Sequence, residues 1–217
     1  MVAARLNDVK QRVIAAAARS GRDPAEVTLV AVSKTVGPSE IAQAYDAGHR
    51  DFGENRSGDL TAKAAVLPGD INWHFVGSLQ SRKAKEIAPY ASMVHSVDRE
   101  SLLRAWARTD GTARLLLQLN LAQEAQKHGA DAAGASAILE VAASLGLAIS
   151  GLMLMPPQVE DPEDNRLWFR RLYEIRRQLQ PEWPGLVELS MGMTDDFEVA
   201  VEEGATLIRV GRAIFEP

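Results

Sequence analysis

Cysteine and several sequence patterns are absent from this 217-residue sequence, and each absence argues against a class of site or function. Cysteine is missing, which excludes disulfide bonds, thiolate metal sites and cysteine nucleophiles. No stretch is long and apolar enough to span a bilayer. Residues 1–21 lack the continuous apolar core of a signal peptide and predict an amphipathic helix instead. We therefore expect a cytoplasmic protein that does not bind a membrane.

The charge of the chain and the motifs that it lacks argue against several classes of ligand and partner. The net charge is −5 without a long run of either sign, which argues against nucleic acid or an anionic membrane surface as a partner. No GxGxxG follows the first predicted strand, which argues against dinucleotide binding. The four histidines do not follow a ligand spacing such as HExxH, so no metal site is predicted. His74 and His95 are instead expected to be hydrogen-bonded core residues.

Strand-like and helix-like segments alternate along the chain after the first helix. Such alternation indicates βαβ units and a parallel sheet. Eight units in succession predict a single-domain (β/α)8 TIM-type barrel over residues 1–217, with an additional N-terminal helix; an open doubly wound sheet is the alternative. The predicted strands are residues 27–33, 49–53, 72–76, 93–97, 114–120, 149–153, 186–189 and 207–210.

The first predicted strand, VTLVAVSK, is apolar on both faces and ends in Lys34. A strand of this kind belongs to a parallel sheet that is covered on both sides. In such folds the carboxyl ends of the strands build the ligand site. A lysine held there in a partly dry pocket can act as a neutral nucleophile that condenses with an aldehyde. On this segment alone, a solvated lysine is the simpler interpretation.

The segments after the last two predicted strands favour a phosphate site. Residues 190–194 (SMGMT) precede a predicted helix that starts near Asp195, and Gly211-Arg212 follow the eighth strand. Glycine lets a backbone approach a ligand closely, and free amides at a helix start attract anions. The loops after strands 7 and 8 are a frequent phosphate site in these barrels.

Arg209 lies within an otherwise apolar strand, TLIRVG, so its side chain is predicted to point into the barrel. A buried guanidinium needs an acceptor. One alternative is a structural ion pair with Glu54 or Glu188; the other is donation to a ring nitrogen or carboxylate of a ligand. A reactive lysine, a phosphate cradle and a buried donor together point to pyridoxal 5′-phosphate (PLP) as a cofactor.

The chain also resembles the pyridoxal phosphate homeostasis protein family, whose fold is similar to the N-terminal barrel of alanine racemase. The resemblance runs from the first helix to Phe215. It implies that Lys34 carries PLP as a Schiff base, that Thr194, Gly211 and Arg212 contact the phosphate, that Arg209 faces the pyridine nitrogen, and that Asn55 and Ser190 line the pocket. Many relatives have threonine where this chain has Arg212. The motifs that carry the resemblance are VAVSKT (30–35), FGENR (52–56), WHFVGSLQSRK (73–83), HSVD (95–98), QLNLAQEAQKHG (118–129), GLMLMPP (151–157) and LSMGMTDDFEVAVEEGATLIRVGRAIF (189–215).

By this resemblance the protein is a monomeric, non-enzymatic PLP carrier that buffers the cofactor and delivers it to apo-enzymes. The first alternative is a small PLP-dependent racemase, which needs acid/base groups on both faces of the substrate. Tyr45, Tyr90 and Tyr173 are predicted on outer helices, and the chain ends after the eighth strand, so no second base is expected. The other alternative is a cofactor-free barrel enzyme in which Lys34 reacts directly with a sugar phosphate.

Overall fold

Eight parallel strands close into a barrel in the computed structural model, which describes residues 1–122 and 128–216. Each strand pairs in parallel with the next, and the first pairs with the last. This closure confirms the predicted (β/α)8 barrel and excludes the open sheet. The strands are β1 (Thr28–Val32), β2 (Asp51–Glu54), β3 (Asn72–Phe75), β4 (Ala91–Val97), β5 (Arg114–Leu119), β6 (Ile149–Leu154), β7 (Glu188–Ser190) and β8 (Leu207–Val210).

Helices surround the barrel, and one precedes it as predicted. They are α1 (Val2–Arg19), α2 (Pro38–Asp46), α3 (Ser57–Ala64), α4 (Ala84–Ile87), α5 (Glu100–Trp106), α6 (Ala135–Ser144), α7 (Arg166–Leu179), α8 (Phe197–Glu202) and α9 (Arg212–Phe215). The buried residues of α1 recur every three or four positions, which is the spacing of one helical face, and this face contacts α8 and α9. Within the described ranges, no helix has the length and apolar character needed to cross a membrane.

Two predicted strands begin two residues later in the structure than in the sequence interpretation. β2 starts at Asp51 rather than at residue 49, because Gly48 adopts a φ of 85° and the His49 N–H donates to the Ala44 carbonyl at the end of α2. β7 starts at Glu188 rather than at residue 186, because the Leu186 N–H bonds within its own turn, to the Trp183 carbonyl. Backbone capping, which hydrophobic pattern does not reveal, decides both boundaries.

Two apolar regions stabilise the barrel, and they differ in size. The larger lies between the sheet and the helices, whereas a small separate cluster packs inside the barrel. Side chains alternate between these two sides along each strand. Polar side chains such as His74, His95 and Arg209 share the barrel interior with this small cluster. The interior cluster consists of Val30, Val32, Met93, Leu116, Met153 and Leu207.

Candidate functional site

A cavity of about 850 Å³ opens at the carboxyl ends of the strands, where a parallel barrel is expected to bind its ligand. Loops that follow different strands all contribute to its wall. Ser190 does not line the cavity and is fully buried. The other six residues that were predicted for the site all line it: Lys34, Asn55, Thr194, Arg209, Gly211 and Arg212.

Lys34 lies in the turn directly after β1. Val32 and Ser33 before it are buried, whereas Lys34 is exposed. The exposed side chain agrees with the solvated lysine that this segment alone indicated. Its position on the cavity wall agrees with the prediction, so a ligand in the cavity could reach the amine directly.

A buried ion pair anchors the segment that carries Lys34. The Lys63 Nζ donates to Glu54 Oε1 (2.7 Å) and to the Ser33 carbonyl (2.9 Å), and the Ser33 hydroxyl donates to the same carboxylate oxygen (2.6 Å). The carboxylate of Glu54 is completely buried. The sequence interpretation missed this pair. Glu54 shares its strand face with Phe52, and this alternation was the signal that the acid would be buried and would need a cation.

Asn55 is held in place by the backbone of the neighbouring loop. A Cβ at Gly77 would lie 2.1 Å from the Asn55 carbonyl oxygen, so only glycine fits where the segments after β2 and β3 cross. The two segments therefore form a closely packed part of the cavity wall, and both residues line the cavity.

The loops after β7 and β8 meet at the cavity. The Gly211 N–H points at Thr194 Oγ1 at 3.4 Å, which brings the two predicted phosphate contacts side by side. Gly192 adopts a φ of 89°, and a Cβ there would lie 2.5 Å from the Cβ of Ala200. The loop thus depends on glycine both for its backbone conformation and for its packing on α8.

The Asp196 carboxylate holds the loop after β7 in place through two hydrogen bonds. One of its carboxylate oxygens accepts from the Met193 N–H (2.7 Å), and the other accepts from the Asn165 side-chain amide (2.8 Å). Arg212 lies at the outer edge, where its guanidinium pairs with the Asp195 carboxylate and both side chains are mostly exposed. The Arg212 side chain is therefore already paired with an anion, and a backbone contact is the simpler role for this residue at a bound phosphate.

Arg209 forms part of the cavity floor, and its side chain points into the barrel as predicted. It donates through Nη1 to Ser190 Oγ (2.6 Å) and through Nη2 to the Leu154 carbonyl (2.9 Å). The alternative of an ion pair with Glu54 or Glu188 is wrong, because those acids pair with Lys63 and Arg114.

Burial lowers the pKa of Arg209 to about 10, although the charge of Asp196 acts in the opposite direction. The group is therefore a cation at neutral pH. Its two hydrogen-bond acceptors are neutral, so a ligand acceptor in the cavity would find an uncompensated donor there.

His74 and His95 are hydrogen-bonded core residues, which confirms the prediction for both. His74 Nδ1 lies 2.9 Å from His95 Nε2, and His95 Nδ1 lies 2.7 Å from Ser190 Oγ. Both rings are buried. Within the described ranges, no group of three histidine or acidic side chains is placed to hold a metal ion.

The arrangement suits one kind of ligand. An exposed amine, the amide and hydroxyl of two adjoining loops, and a cationic donor at the floor all line one cavity. An anionic small molecule that carries both an aldehyde and a ring or carboxylate acceptor would use all three groups at once. The donor set therefore fits a phosphorylated aromatic aldehyde.

The sequence is similar to those of known proteins over nearly its whole length. No protein-family model matches the chain. The pyridoxal phosphate homeostasis protein of Aquifex aeolicus is 38% identical over 219 residues, which cover 97% of this chain and 96% of the relative. The protein of the same description from Pseudomonas aeruginosa is 40% identical over 220 residues, which cover 99% of this chain and 94% of the relative.

Comparison of structures leads to the same group of proteins. PipY of Synechococcus elongatus PCC7942, in a structure with PLP bound, aligns with a TM-score of 0.84 and 36% identity. The alignment covers 99% of this chain and 100% of PipY. The likeness thus extends over nearly the whole chain.

Proposed function

This chain belongs to the pyridoxal phosphate homeostasis protein family, and we propose that it binds PLP at the barrel mouth and takes part in cofactor homeostasis in the cell. The observation that carries the proposal is the donor set of the cavity, in which an amine, an anion-binding pair of loops and a buried cation converge. PipY, 36% identical over nearly the whole chain, has PLP bound in its structure. The proposed binding domain extends over residues 1–217.

Each group in the cavity has a proposed part in holding PLP. Lys34 forms the Schiff base with the aldehyde, and Asn55 lines the same wall. Thr194, Gly211 and the backbone of Arg212 bind the phosphate. When bound, PLP supplies an aldehyde that takes up a primary amine and a ring that can accept electrons from the resulting adduct.

Arg209 faces the pyridine nitrogen in this proposal, and Ser190 supports it from below. Because the pKa of Arg209 remains near 10, the residue is a cation at neutral pH and opposes a second positive charge on the ring. Arg209 would therefore disfavour protonation of the ring nitrogen, and an unprotonated ring would be a weak electron sink. This disfavours aminotransferase chemistry and agrees with a carrier.

A carrier also agrees with the positions of the tyrosines, since a racemase needs a second acid/base group opposite the lysine. The Tyr45 hydroxyl donates to Asp70 (2.6 Å) at the surface, and Tyr173 packs against Gly204. Tyr90 is 41% exposed. None of the three lines the cavity. We therefore propose a non-enzymatic, monomeric protein of the cytoplasm that hands PLP to apo-enzymes.

The test is the near-visible absorption spectrum of the protein after incubation with PLP, for the wild type, Lys34→Ala and Lys85→Ala. Lys85 is an exposed lysine away from the cavity and controls for non-specific reaction. We expect the adduct band in the wild type and in Lys85→Ala, and its loss in Lys34→Ala. Borohydride reduction followed by peptide mass mapping should place the label on Lys34.

Each other outcome rejects a part of the proposal. A wild type that stays colourless rejects PLP binding and favours direct reaction of Lys34 with a sugar phosphate. A loaded protein that exchanges the α-proton of an amino acid in deuterated water is an enzyme rather than a carrier. Transfer of PLP to an apo-enzyme without such exchange supports the carrier.

A further inference from the structure

Five polar side chains form one hydrogen-bonded row through the barrel interior, and we call this row the interior relay. It begins at Asp51, the first residue of β2, where Oδ1 lies 3.2 Å from His74 Nε2. It continues from His74 to His95 (2.9 Å), from His95 to Ser190 (2.7 Å) and from Ser190 to Arg209 (2.6 Å). The relay thus connects the amino-terminal end of the barrel with the floor of the cavity.

The chemistry of the two ends determines where the protons lie. A guanidinium only donates, so Ser190 Oγ accepts from Arg209. The other partner of that hydroxyl among the described residues is His95 Nδ1, so the serine O–H has an acceptor in the row only if His95 Nδ1 is unprotonated. His95 then donates through Nε2 to His74.

The protons at the Asp51 end of the relay are assigned in the same way. His74 accepts at Nδ1, which leaves its Nε2–H to donate to the Asp51 carboxylate. Burial alone would raise the pKa of Asp51, but the hydrogen bonds from His74 and Asn72 hold the pKa below its ordinary value. Asp51 is therefore an anion at neutral pH, and all four hydrogen bonds point from Arg209 towards it.

His95 remains neutral in this arrangement. Burial and the positive charge of Arg209 hold the pKa of His95 well below its ordinary value. Within the described ranges, no carboxylate pairs directly with Arg209. Rows of aligned hydrogen bonds polarise one another, so the distant carboxylate stabilises the buried guanidinium through three neutral groups.

We propose that His95 is a positioning residue for Arg209: its Nδ1 accepts a hydrogen bond from the Ser190 hydroxyl, so that Ser190 offers Arg209 only a lone pair. This inference rests on the proposed function, because its consequence concerns the bound ring. Arg209 is then held as the donor at the floor, and the Ser190 proton is kept away from the ligand. Loss of the His95 acceptor frees that proton and releases the guanidinium from its fixed orientation.

The first test needs neither ligand nor variant. Long-range proton–nitrogen NMR of the ligand-free protein at neutral pH reports which ring nitrogen of each histidine carries a proton. We expect His74 and His95 both as neutral Nε2–H tautomers. A protonated Nδ1 on His95 would reverse the relay and overturn the inference, whether or not the protein binds PLP.

The second test compares PLP binding by His95→Gln and His95→Asn. The glutamine amide reaches the position of Nε2 and keeps a bond to His74, whereas the asparagine amide occupies the position of Nδ1 and can still accept from Ser190. Losing a hydrogen bond that orients a charged group weakens binding roughly 10- to 100-fold, and we expect this for His95→Gln and for Ser190→Ala. His95→Asn should recover most of that loss.

Ser96→Ala is the matched control for Ser190→Ala. Ser96 is also buried, but its hydroxyl has no hydrogen-bond partner in the part of the chain that the structure describes, and Ser96 does not line the cavity. We expect it to bind PLP like the wild type. Equal binding by the wild type, His95→Gln and Ser190→Ala would overturn the positioning role, whereas a wild type that fails to bind would instead reject the proposed function. Should His95→Gln not fold, Ser190→Ala and the tautomer measurement still decide.

Discussion

Replacement of Lys63 by methionine should destabilise the protein strongly, because it leaves a carboxylate in the core without its cation. The Lys63 side chain is 11% exposed and that of Glu54 is 0% exposed, and their charged atoms are 2.7 Å apart. Glu54 Oε2 has no hydrogen-bond partner among the described residues even in the intact protein. After the substitution, the Ser33 hydroxyl is the only described group that still bonds the acid.

The size of the effect follows from these contacts. Removing one partner of a buried ion pair costs about 3–5 kcal/mol, because the remaining charge stays desolvated. The Ser33 carbonyl also loses its bond from Lys63 Nζ, at about 1 kcal/mol. We therefore expect the free energy of unfolding of Lys63→Met to fall by about 5 kcal/mol. The double replacement Glu54→Met and Lys63→Met removes both charges and should lie within about 2 kcal/mol of the wild type.

Urea unfolding followed by circular dichroism at pH 7 measures all three proteins. When both variants are folded, Lys63→Met should also bind PLP more weakly than the double variant does. The reason is that the unpaired Glu54 carboxylate lies beside the segment that carries Lys34. A Lys63→Met protein within about 1 kcal/mol of the wild type would refute the argument. It would mean that water reaches Glu54 or that the acid takes up a proton at little cost.

Two further predictions concern pH and loop packing. Burial and the charge of Lys10 lower the pKa of His49 from 6.5 to about 4, so the unfolded chain binds more protons between these values and stability falls as the pH drops through this window. His49→Gln should remove up to about 3 kcal/mol of that acid sensitivity, measured by urea unfolding at pH 7 and pH 4; an unchanged difference between the two pH values would contradict this. Gly77→Ala should lower stability by roughly 2 kcal/mol and weaken PLP binding, because the new Cβ meets the Asn55 carbonyl at 2.1 Å. Gly58→Ala, with nothing within 4 Å, is its control in thermal melts and PLP titrations, and equal behaviour of the two variants would disprove the close contact.

Much of the fold could be predicted from local sequence pattern. Runs such as VTLVAV, which are apolar on both faces, indicate strands of a covered parallel sheet, and the amphipathic segments between them indicate helices. The inward direction of Arg209 followed from the same alternation, and its burial agrees with it. The predicted strand starts at residues 49 and 186 were less accurate, because backbone hydrogen bonds at these residues, and not the hydrophobic pattern, determine where each strand begins.

The surroundings of single side chains were predicted less well. Lys34 is exposed although its strand is buried, since the turn after β1 carries it out of the barrel. The acids proposed as partners of Arg209 bond to other cations instead. Strand alternation tells which face a residue occupies, but not which of several buried groups lies closest to it.

The sequence by itself therefore determined the repeating βαβ units, the inward face of each strand and the polar residues at the strand ends, because these depend on neighbours in the chain. Only the tertiary structure decided that His74, His95, Ser190 and Arg209, from four different strands, form one row with Asp51. Closure and stagger of the barrel set which residues meet across its interior. Those quantities depend on all eight strands at once, so no local pattern contains them.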